Sequence, residues 1–399
     1  MRSRRTLAAA SAAVLLMVSL SACGGGGGTT SVSDKPGGDA TSEAPETSKA
    51  SVTASIPADA TGVKVNRSLR LDVADGTLEN VTVNGGKAGP LRGALSTDKL
   101  SWQSTSRLQP GSTYQVQGTA VDAKGRETTY ASTFTTEVLP LDRQTFPSFV
   151  PLPGSTVGVG MPVIIRFDVP VTNHAAIQRH LKVTSVPAQA GAFHWISDTE
   201  VHWRPQKYWQ AGTKVTVAAN IDSVPAGNGV YGQKSRTSSF TVGRSMVSKV
   251  DMNTHQMRVF KDGKLIRTIP ITTGQQPKFT TRSGTKVIIE KFRRKRMSSE
   301  TVGIPVNSAD GYDIDNVEYA MRITYSGEFV HAAPWSVGSQ GRANVSHGCT
   351  GMSTSNAKWL YDNTIVGDVV EYTGTSREMT LTNGYGDWNL PFNAYSAGA

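Results

Sequence analysis

The sequence predicts a mainly β protein in which two successive β-sandwiches precede a third β-rich region with one main helix. Apolar and polar residues alternate with period two in segments such as 69–73 and 114–118, which is typical of half-buried strands. The 40 glycines and the low charged fraction of 18% favour short strands joined by many turns. A third observation, a repeated spacing of tryptophan and glycine, indicates that one sandwich plan occurs twice.

The first 22 residues have the features of a lipoprotein signal peptide. The apolar run 7–20 follows three arginines and is too short to span a bilayer, which takes about 20 residues. The run ends in small residues before Cys23 and resembles a lipobox, so we expect Cys23 to be lipidated. The alternative is an ordinary signal that is cleaved near Ala22 and leaves a free thiol.

Residues 23–52 are predicted to be a disordered linker that begins with the lipidated cysteine. Five glycines follow Cys23, and the segment 29–51 has almost no apolar side chains. Such a composition cannot bury a core and behaves as a flexible tether. We therefore expect a protein that is lipid-anchored on the outer face of the cell membrane, with its folded domains facing the cell wall.

The formal net charge is +10, which suits anionic cell-wall polymers or lipid headgroups as partners. We do not expect a nucleic-acid partner for an exported protein. No second apolar stretch reaches transmembrane length.

The two sandwiches are predicted from a repeat in the first half of the chain. Trp102 lies nine residues before Gly111, and Trp203 lies nine residues before Gly212. An inward aromatic anchor followed by a tight reversal and an alternating strand is what a small sandwich requires. We expect inert spacers, with specific wall binding as the alternative. The predicted domains span 53–137 and 138–243.

The third region is predicted to be a domain over 244–373, followed by a C-terminal extension, 374–399, that packs on it. Asp262-Gly263 predicts a hairpin turn between two alternating strands. The main helix is predicted over 354–363, with Ser353 or Thr354 as its N-cap.

Cys349 is the candidate nucleophile. If Cys23 carries lipid, Cys349 is the remaining thiol of the two cysteines in the sequence, and histidines lie nearby. The predicted helix begins soon after Cys349, so we expect a helix N-terminus near the thiol, which would lower its pKa. The amides of Gly348 and Cys349 are expected to form an oxyanion hole.

Two histidines compete for the role of the base, and the residues alone do not decide between them. His331 ends a strand, and a loop with glycines and a proline could return it to the thiol; His347 is two residues from Cys349. Two other interpretations remain open: a zinc site formed by His331, His347 and Cys349, and an inert buried cysteine with structural histidines.

Residues 246–373 resemble the catalytic domain of the L,D-transpeptidases, the YkuD type. His331, a gap of fourteen residues and then Ser346-His347-Gly348-Cys349 match that family's signature, and Thr272-Thr273-Gly274 resembles its Ser-Thr-Gly strand end. The whole chain resembles the actinobacterial lipoprotein members, which have two immunoglobulin-like domains, the catalytic domain and a C-terminal extension. Here that extension contains Gly386-Asp387-Trp388-Asn389.

The resemblance implies an acyltransferase that cross-links peptidoglycan without a cofactor or a metal. Cys349 would attack the third residue of a donor tetrapeptide stem, release D-alanine and form a thioester, which an amine on an acceptor stem resolves into a 3→3 cross-link. Carbapenem-type β-lactams would acylate the same thiol. The alternatives are a secreted carboxypeptidase or cysteine peptidase, and a non-catalytic wall-binding lipoprotein.

The resemblance also implies residue roles. Cys349, His331 and His347 would be the catalytic residues: His331 would be the base, oriented by the carbonyl of Ala332, and His347 would line the site and help orient the oxyanion amides. Met297 and Val302 would belong to a lid over the cleft. The residues implied to bind substrate are Met297, Tyr312, Ser326, Gly327, Trp335, Ser346, Gly348 and Gly351.

Three residues depart from the family's usual pattern. Gly351 stands where an asparagine or arginine is frequent, Val302 where a lid tyrosine is frequent, and Ala332 where a serine is frequent. We expect these departures to affect substrate preference more than the type of reaction.

Overall fold

The computed structural model describes residues 46–398. Among these residues the protein is mainly β, and the chain from Ser48 onward forms one compact unit. The predicted signal peptide, Cys23 and most of the predicted linker lie outside the described residues. No helix of the described part is long and apolar enough to cross a membrane.

The first sandwich consists of two four-stranded sheets with the orders β1-β3-β6-β5 and β2-β8-β7-β4. Strand β1 begins inside the predicted linker, because Val52 and Ala54 pack against the core of this domain. The strands are β1 Ser51–Ala54, β2 Ala60–Val63, β3 Arg70–Ala74, β4 Thr77–Asn84, β5 Gly93–Leu95, β6 Ser101–Ser104, β7 Thr113–Val121 and β8 Glu127–Thr136.

The second sandwich pairs the sheets β10-β12-β15-β14 and β11-β19-β16-β13, with a small third sheet of β17, β18 and β9. One short helix, α1 (His174–Gln178), precedes β13. The strands are β9 Gln144–Thr145, β10 Pro147–Val150, β11 Thr156–Val157, β12 Val163–Phe167, β13 Leu181–Val186, β14 Gly191–Ser197, β15 Glu200–Pro205, β16 Lys214–Ala219, β17 Pro225–Gly227, β18 Val230–Gly232 and β19 Arg236–Val242.

The tryptophan repeat marks equivalent positions in the two sandwiches. Trp102 and Trp203 are both buried, and each packs against a glycine of the neighbouring strand. A Cβ atom at Gly93 would lie 2.0 Å from the Trp102 indole, and one at Gly191 would lie 2.3 Å from the Trp203 indole. The repeat therefore includes a glycine on which the indole rests, a feature that the tryptophan spacing alone did not indicate.

The third domain contains a five-stranded sheet, β22-β21-β20-β28-β23, and a four-stranded sheet, β24-β25-β26-β27. As predicted, Asp262 and Gly263 form the turn between β21 and β22, and both have positive φ. The strands are β20 Met246–Asp251, β21 Gln256–Lys261, β22 Lys264–Pro270, β23 Gly284–Val287, β24 Glu290–Ser298, β25 Asp313–Arg322, β26 Phe329–Ala332, β27 Thr350–Met352 and β28 Val369–Thr373.

The main helix is α2, Thr354–Asn363, and the Ser353 side chain caps it by accepting a hydrogen bond from the Asn356 amide. It does not follow Cys349 directly, because strand β27 separates the thiol from the helix. β27 lies parallel to β26 and pairs Gly351 with His331. The pairing of these two strands, and not the helix, places the cysteine beside the histidine strand.

The second sandwich shares its apolar core with the third domain. Val163 of the sandwich belongs to the same buried cluster as Val287 and Val369 of the third domain, whereas the first sandwich has a core of its own. Backbone contact reinforces this junction, since the Gly158 and Gly160 amides donate to the carbonyls of Val366 and Gly367.

The C-terminal extension contacts both neighbours. We expected it to pack on the catalytic domain, and Asn389 does bond the backbone of Thr285 there. The extension also packs on the second sandwich: Trp388 Nε1 donates to the Gly160 carbonyl, and helix α3 (Phe392–Ala397) lies against β14. It thus ties the two domains together.

A buried charged cluster holds this junction. His202 of β15 lies between Asp387 and Glu200, with its two ring nitrogens 2.8 Å from a carboxylate oxygen of each. Burial disfavours the imidazolium, but the two carboxylates outweigh it and raise the pKa of His202 to about 9. The histidine is therefore charged at neutral pH.

We expect the thermal stability to fall as the pH rises through about 9, where His202 loses its proton. A histidine whose folded pKa is raised stabilises the fold fully below its unfolded pKa, and the shift corresponds to about 3 kcal/mol. Melting curves between pH 6 and 10 measure the effect. His202→Gln should melt lower at pH 6 and approach the wild type at pH 10. A constant difference between the two across this range would contradict the assignment.

Candidate functional site

A cavity of about 300 Å³ opens between the hairpin of β24 and β25 and the loop that leads into β27. Its walls are mostly apolar and aromatic, and one thiol and two histidines line it. Such a composition, with a few convergent polar groups, is typical of a ligand site. The lining residues predicted from the sequence are Met297, Tyr312, His331, Trp335, Ser346, His347, Cys349 and Gly351.

Cys349 lies in the turn that precedes β27 and is half-buried. Its Sγ lies 3.6 Å from the Gly327 carbonyl, to which the thiol donates. Burial raises the pKa of Cys349 to about 11. The expectation that a helix N-terminus lowers this pKa is therefore wrong, because the helix begins only after β27 and desolvation dominates at the sulfur. The resting group is a neutral thiol.

His331 is buried in β26, and its Nδ1 lies 2.8 Å from the carbonyl of Ala332. A carbonyl only accepts, so Nδ1 carries the proton and the Nε2 lone pair is left available. Burial lowers the pKa of His331, although the hydrogen bond to the Ala332 carbonyl acts to raise it. The imidazole is therefore a neutral base in a fixed tautomer.

His347 occupies a different environment. Its ring is exposed and packs between two aromatic side chains, 4.3 Å from the Phe279 ring centroid and 5.0 Å from that of Tyr312. These contacts make it part of the cavity wall. Of the two histidines, His331 is the one whose tautomer a hydrogen bond fixes, as a general base requires.

The zinc arrangement considered for His331, His347 and Cys349 does not form. Within residues 46–398, no group of three or more histidine, cysteine or acidic side chains is arranged so that it could hold a metal ion. An inert buried cysteine is also a poor description, because Cys349 lines an open cavity beside a base.

The Ser346–Cys349 turn depends on Gly348, whose φ of 120° is a conformation that other residues rarely adopt. The Ser346 hydroxyl accepts from the Gly348 amide at 3.2 Å and donates to the Cys349 carbonyl at 2.6 Å. The Gly348 amide is thus engaged in the turn, and the predicted oxyanion hole would require its release. Thr281 Oγ1 donates to the Gly348 carbonyl at 2.8 Å and braces the turn from the other side.

Ser326, Gly327 and Gly348 are not among the residues that line the cavity. Ser326 is held by Asn383 of the C-terminal extension, through its amide at 2.8 Å and its hydroxyl at 2.9 Å. Gly327 contacts the sulfur through its carbonyl, and its missing side chain leaves room for Val302, which a Cβ would approach to 2.9 Å.

The structure gives a local reason for two of the three departures. A Cβ at Gly351 would lie 2.8 Å from that of Ala333, so the present backbone leaves no room for a larger residue there. Ala332 holds His331 through its carbonyl, and this bond needs no side chain. Val302 ends a short 3₁₀ turn, Ser299–Val302, where it is partly exposed.

A buried ion cluster close to the thiol was not predicted from the sequence. Lys286 is fully buried with its Nζ 2.5 Å from Glu328, and Arg282 also donates to this carboxylate, at 2.9 Å. Lys286 directly precedes the apolar run Val287-Ile288-Ile289, so a lysine next to buried apolar residues was the one available signal. Its partner lies 42 positions away and cannot be identified from spacing.

Two family models match the chain. The model of the L,D-transpeptidase catalytic domain matches residues 245–371, and that of a bacterial Ig domain matches residues 60–225. The second match extends over parts of both sandwiches.

Curated relatives and solved structures agree with these matches. The chain is 38% identical to L,D-transpeptidase 2 of Mycobacterium tuberculosis over 87% of its own length and 84% of that protein. It is 35% identical to L,D-transpeptidase 5 of the same species, over 82% of this chain and 72% of the relative. The structure of the L,D-transpeptidase LdtMt1 in complex with imipenem is similar with a TM-score of 0.51 and 36% identity, covering 58% of this chain and 99% of that one.

Proposed function

Because the chain belongs to the L,D-transpeptidase family, we propose that it cross-links peptidoglycan with Cys349 as the nucleophile and His331 as the general base. The observation that carries these roles is the pairing of β26 with β27, which brings a histidine of fixed tautomer and the half-buried thiol to one cavity. A neutral base with a free lone pair next to a neutral thiol is the arrangement that nucleophilic catalysis requires.

The first half-reaction forms a thioester. As Sγ attacks the carbonyl carbon of the third residue of the donor stem, Nε2 of His331 takes the thiol proton. The C–N bond to the terminal D-alanine then breaks, and the imidazolium returns this proton to the leaving amine. Proton transfer accompanies the attack, because burial raises the pKa of Cys349 and lowers that of His331, which disfavours a resting ion pair.

The second half-reaction uses the same groups in reverse. An amine on a neighbouring stem attacks the thioester carbonyl, His331 accepts its proton, and the C–S bond breaks as the proton returns to sulfur. The product is a 3→3 cross-link and a regenerated thiol. Two steps through an activated acyl group replace one difficult amide exchange.

The mostly apolar walls of the cavity support the second half-reaction, because they offer few polar groups that could hold a water molecule beside the thioester. Met297 and Tyr312 line it on the side of the hairpin, and Trp335 lies 5.9 Å from the His331 ring on the other side. Hydrolysis of the thioester would instead make the protein a carboxypeptidase, and the acceptor amine must compete with this reaction.

Incubation with a defined disaccharide-tetrapeptide, followed by mass spectrometry, tests the proposal. We expect a cross-linked dimer together with free D-alanine. Tripeptide monomer as the main product would indicate a carboxypeptidase. Binding to peptidoglycan without turnover, unchanged in Cys349→Ala, would indicate a wall-binding lipoprotein and contradict the proposal.

We also propose that the enzyme is lipid-anchored through Cys23 on the outer face of the membrane. The residues before Cys23 support a lipoprotein signal, and the glycine-rich segment after it supports a tether. Partition of the mature chain into detergent, and its loss from the membrane fraction in Cys23→Ala, is the expected result. A Cys23→Ala protein that stays with the membranes would contradict the anchor.

A further inference from the structure

The reaction as described does not use the buried ions beside Cys349. Lys286 and Arg282 both bind the Glu328 carboxylate, and Lys286 and Glu328 are almost inaccessible to solvent. Burial of charges costs more free energy than burial of apolar residues of similar size, so stability alone is a poor reason for such a cluster. Its position next to a nucleophile suggests a role in the chemistry.

The backbone groups on either side of Glu328 interact with the sulfur of Cys349. The Gly327 carbonyl accepts from the thiol at 3.6 Å. The Phe329 backbone acts to lower the pKa of Cys349, which favours the thiolate. We call Gly327–Phe329 the sulfur bracket. It offers an acceptor to the protonated sulfur and a donor to the ionised sulfur.

Glu328, the central residue of the sulfur bracket, is fixed through its backbone and its carboxylate. Its amide donates to Thr324 Oγ1 at 2.8 Å, and its carbonyl accepts from the Ile323 amide at 3.0 Å. Its carboxylate accepts from Lys286, from the Arg282 guanidinium and from the Arg282 amide. The position of the sulfur bracket therefore depends on the ion cluster.

A second chain of contacts reaches the other side of the thiol. Lys286 Nζ lies 3.8 Å from the centroid of the Tyr372 ring, and the Tyr372 hydroxyl lies 2.7 Å from Thr350 Oγ1. Thr350 directly follows Cys349. The cluster thus contacts the chain both through the sulfur bracket and through the residue after the nucleophile.

Several charged or titratable groups act on this sulfur. Glu328 raises the pKa of Cys349, while Lys286 and Arg322 lower it. Burial raises the pKa of both Tyr312 and Tyr372, and the negative charge of the thiolate raises each further. Both phenols are therefore neutral at pH 7. The two histidines, His331 and His347, line the same cavity.

We propose that Lys286 and Glu328 are positioning residues for Cys349. The pair fixes the sulfur bracket, and the ammonium of Lys286 favours the thiolate that forms during attack. This proposal rests on the proposed function only in one respect: the acylation measurement assumes that Cys349 is the nucleophile of a transpeptidase. Alkylation of the thiol requires no transpeptidase activity and tests the same contacts.

The test compares Lys286→Met with the wild type. Iodoacetamide alkylation of Cys349, followed by mass spectrometry of its peptide, reports ionisation of the thiol, and imipenem acylation reports attack on a carbonyl. We expect both rates at pH 7 to fall about tenfold or more, since one unit of thiol pKa changes the thiolate fraction tenfold. Rates within twofold of the wild type in a folded Lys286→Met would overturn the proposal.

The double variant Lys286→Met/Glu328→Gln separates charge from geometry and has no unpaired buried carboxylate. It leaves the net charge near the sulfur unchanged, so the alkylation rate should return to that of the wild type. Imipenem acylation should stay at least about tenfold slower than in the wild type, because the ion pair that positions the sulfur bracket is absent. Wild-type acylation in this variant would also overturn the proposal, even if Lys286→Met alone does not fold.

Lys249→Met is the matched control, because it removes a lysine of the same domain from an exposed pair with Glu371. Both of its rates should equal those of the wild type, and an equal loss in this variant would overturn the assignment to the cluster. If the wild-type protein is alkylated but not acylated at Cys349, the proposed function is contradicted. The alkylation rates of the variants would then decide whether Lys286 and Glu328 position the thiol.

Discussion

Cys349→Ala should form no covalent adduct with imipenem and no cross-linked dimer from a defined muropeptide. The variant retains the cavity but lacks the atom that becomes acylated, so we expect activity to fall by about 10⁴-fold or more. Intact-protein mass spectrometry measures the adduct, and chromatography of the muropeptides measures the dimer. The alanine occupies a half-buried position, and an unchanged melting temperature would show that the fold is intact.

Cys23→Ala is the matched control for Cys349→Ala, since it removes the other cysteine of the sequence and changes none of the residues that line the cavity. It should acquire one adduct on the peptide that contains Cys349 and should still form the dimer in solution. An adduct of equal yield on Cys349→Ala would contradict the assignment of the nucleophile.

His331→Gln should lower the rate of imipenem acylation by about 10²- to 10⁴-fold, the usual contribution of a positioned base. Glutamine can keep a hydrogen bond to the Ala332 carbonyl but cannot take the proton from the thiol. The acid limb of the wild-type pH profile should lie below pH 6.5, because burial lowers the pKa of His331 and the imidazole stays neutral to lower pH. This limb should disappear in the variant.

His347→Gln is the comparison that decides between the two histidines. The His347 ring packs on Phe279 and Tyr312 at the exposed edge of the cavity, so its loss should cost no more than about tenfold and should preserve the acid limb. A greater loss in His347→Gln than in His331→Gln would reverse the assignment of the base.

Local sequence signals predicted the secondary structure of the third domain well where they act over short distances. Asp262 and Gly263 accept positive φ, so this turn is specified by two adjacent residues. Ser353 caps α2 through a contact with Asn356, only three residues away. Interactions of this range do not depend on the rest of the fold.

The thiol pKa was predicted incorrectly because it depends on packing. Proximity to α2 in sequence suggested a lowered pKa, but β27 intervenes. Desolvation by the surrounding protein instead raises the pKa of Cys349. Desolvation of a charge outweighs a distant helix terminus. The choice between His331 and His347 likewise needed the hydrogen bond at Nδ1, which a pattern of residues does not contain.

The sequence by itself determined the mainly β class and the duplicated sandwich plan, because these follow from periodicity and spacing. It also supplied the candidate residues for the chemistry, through residue type and through the resemblance to a known family. The tertiary structure decided which histidine has a fixed tautomer, that the resting thiol is neutral, and that Lys286 meets Glu328 beside it. It also decided that His202 joins the second sandwich to the C-terminal extension through Asp387. These properties arise from desolvation and from contacts between residues far apart in the chain, and both exist only once the strands have paired.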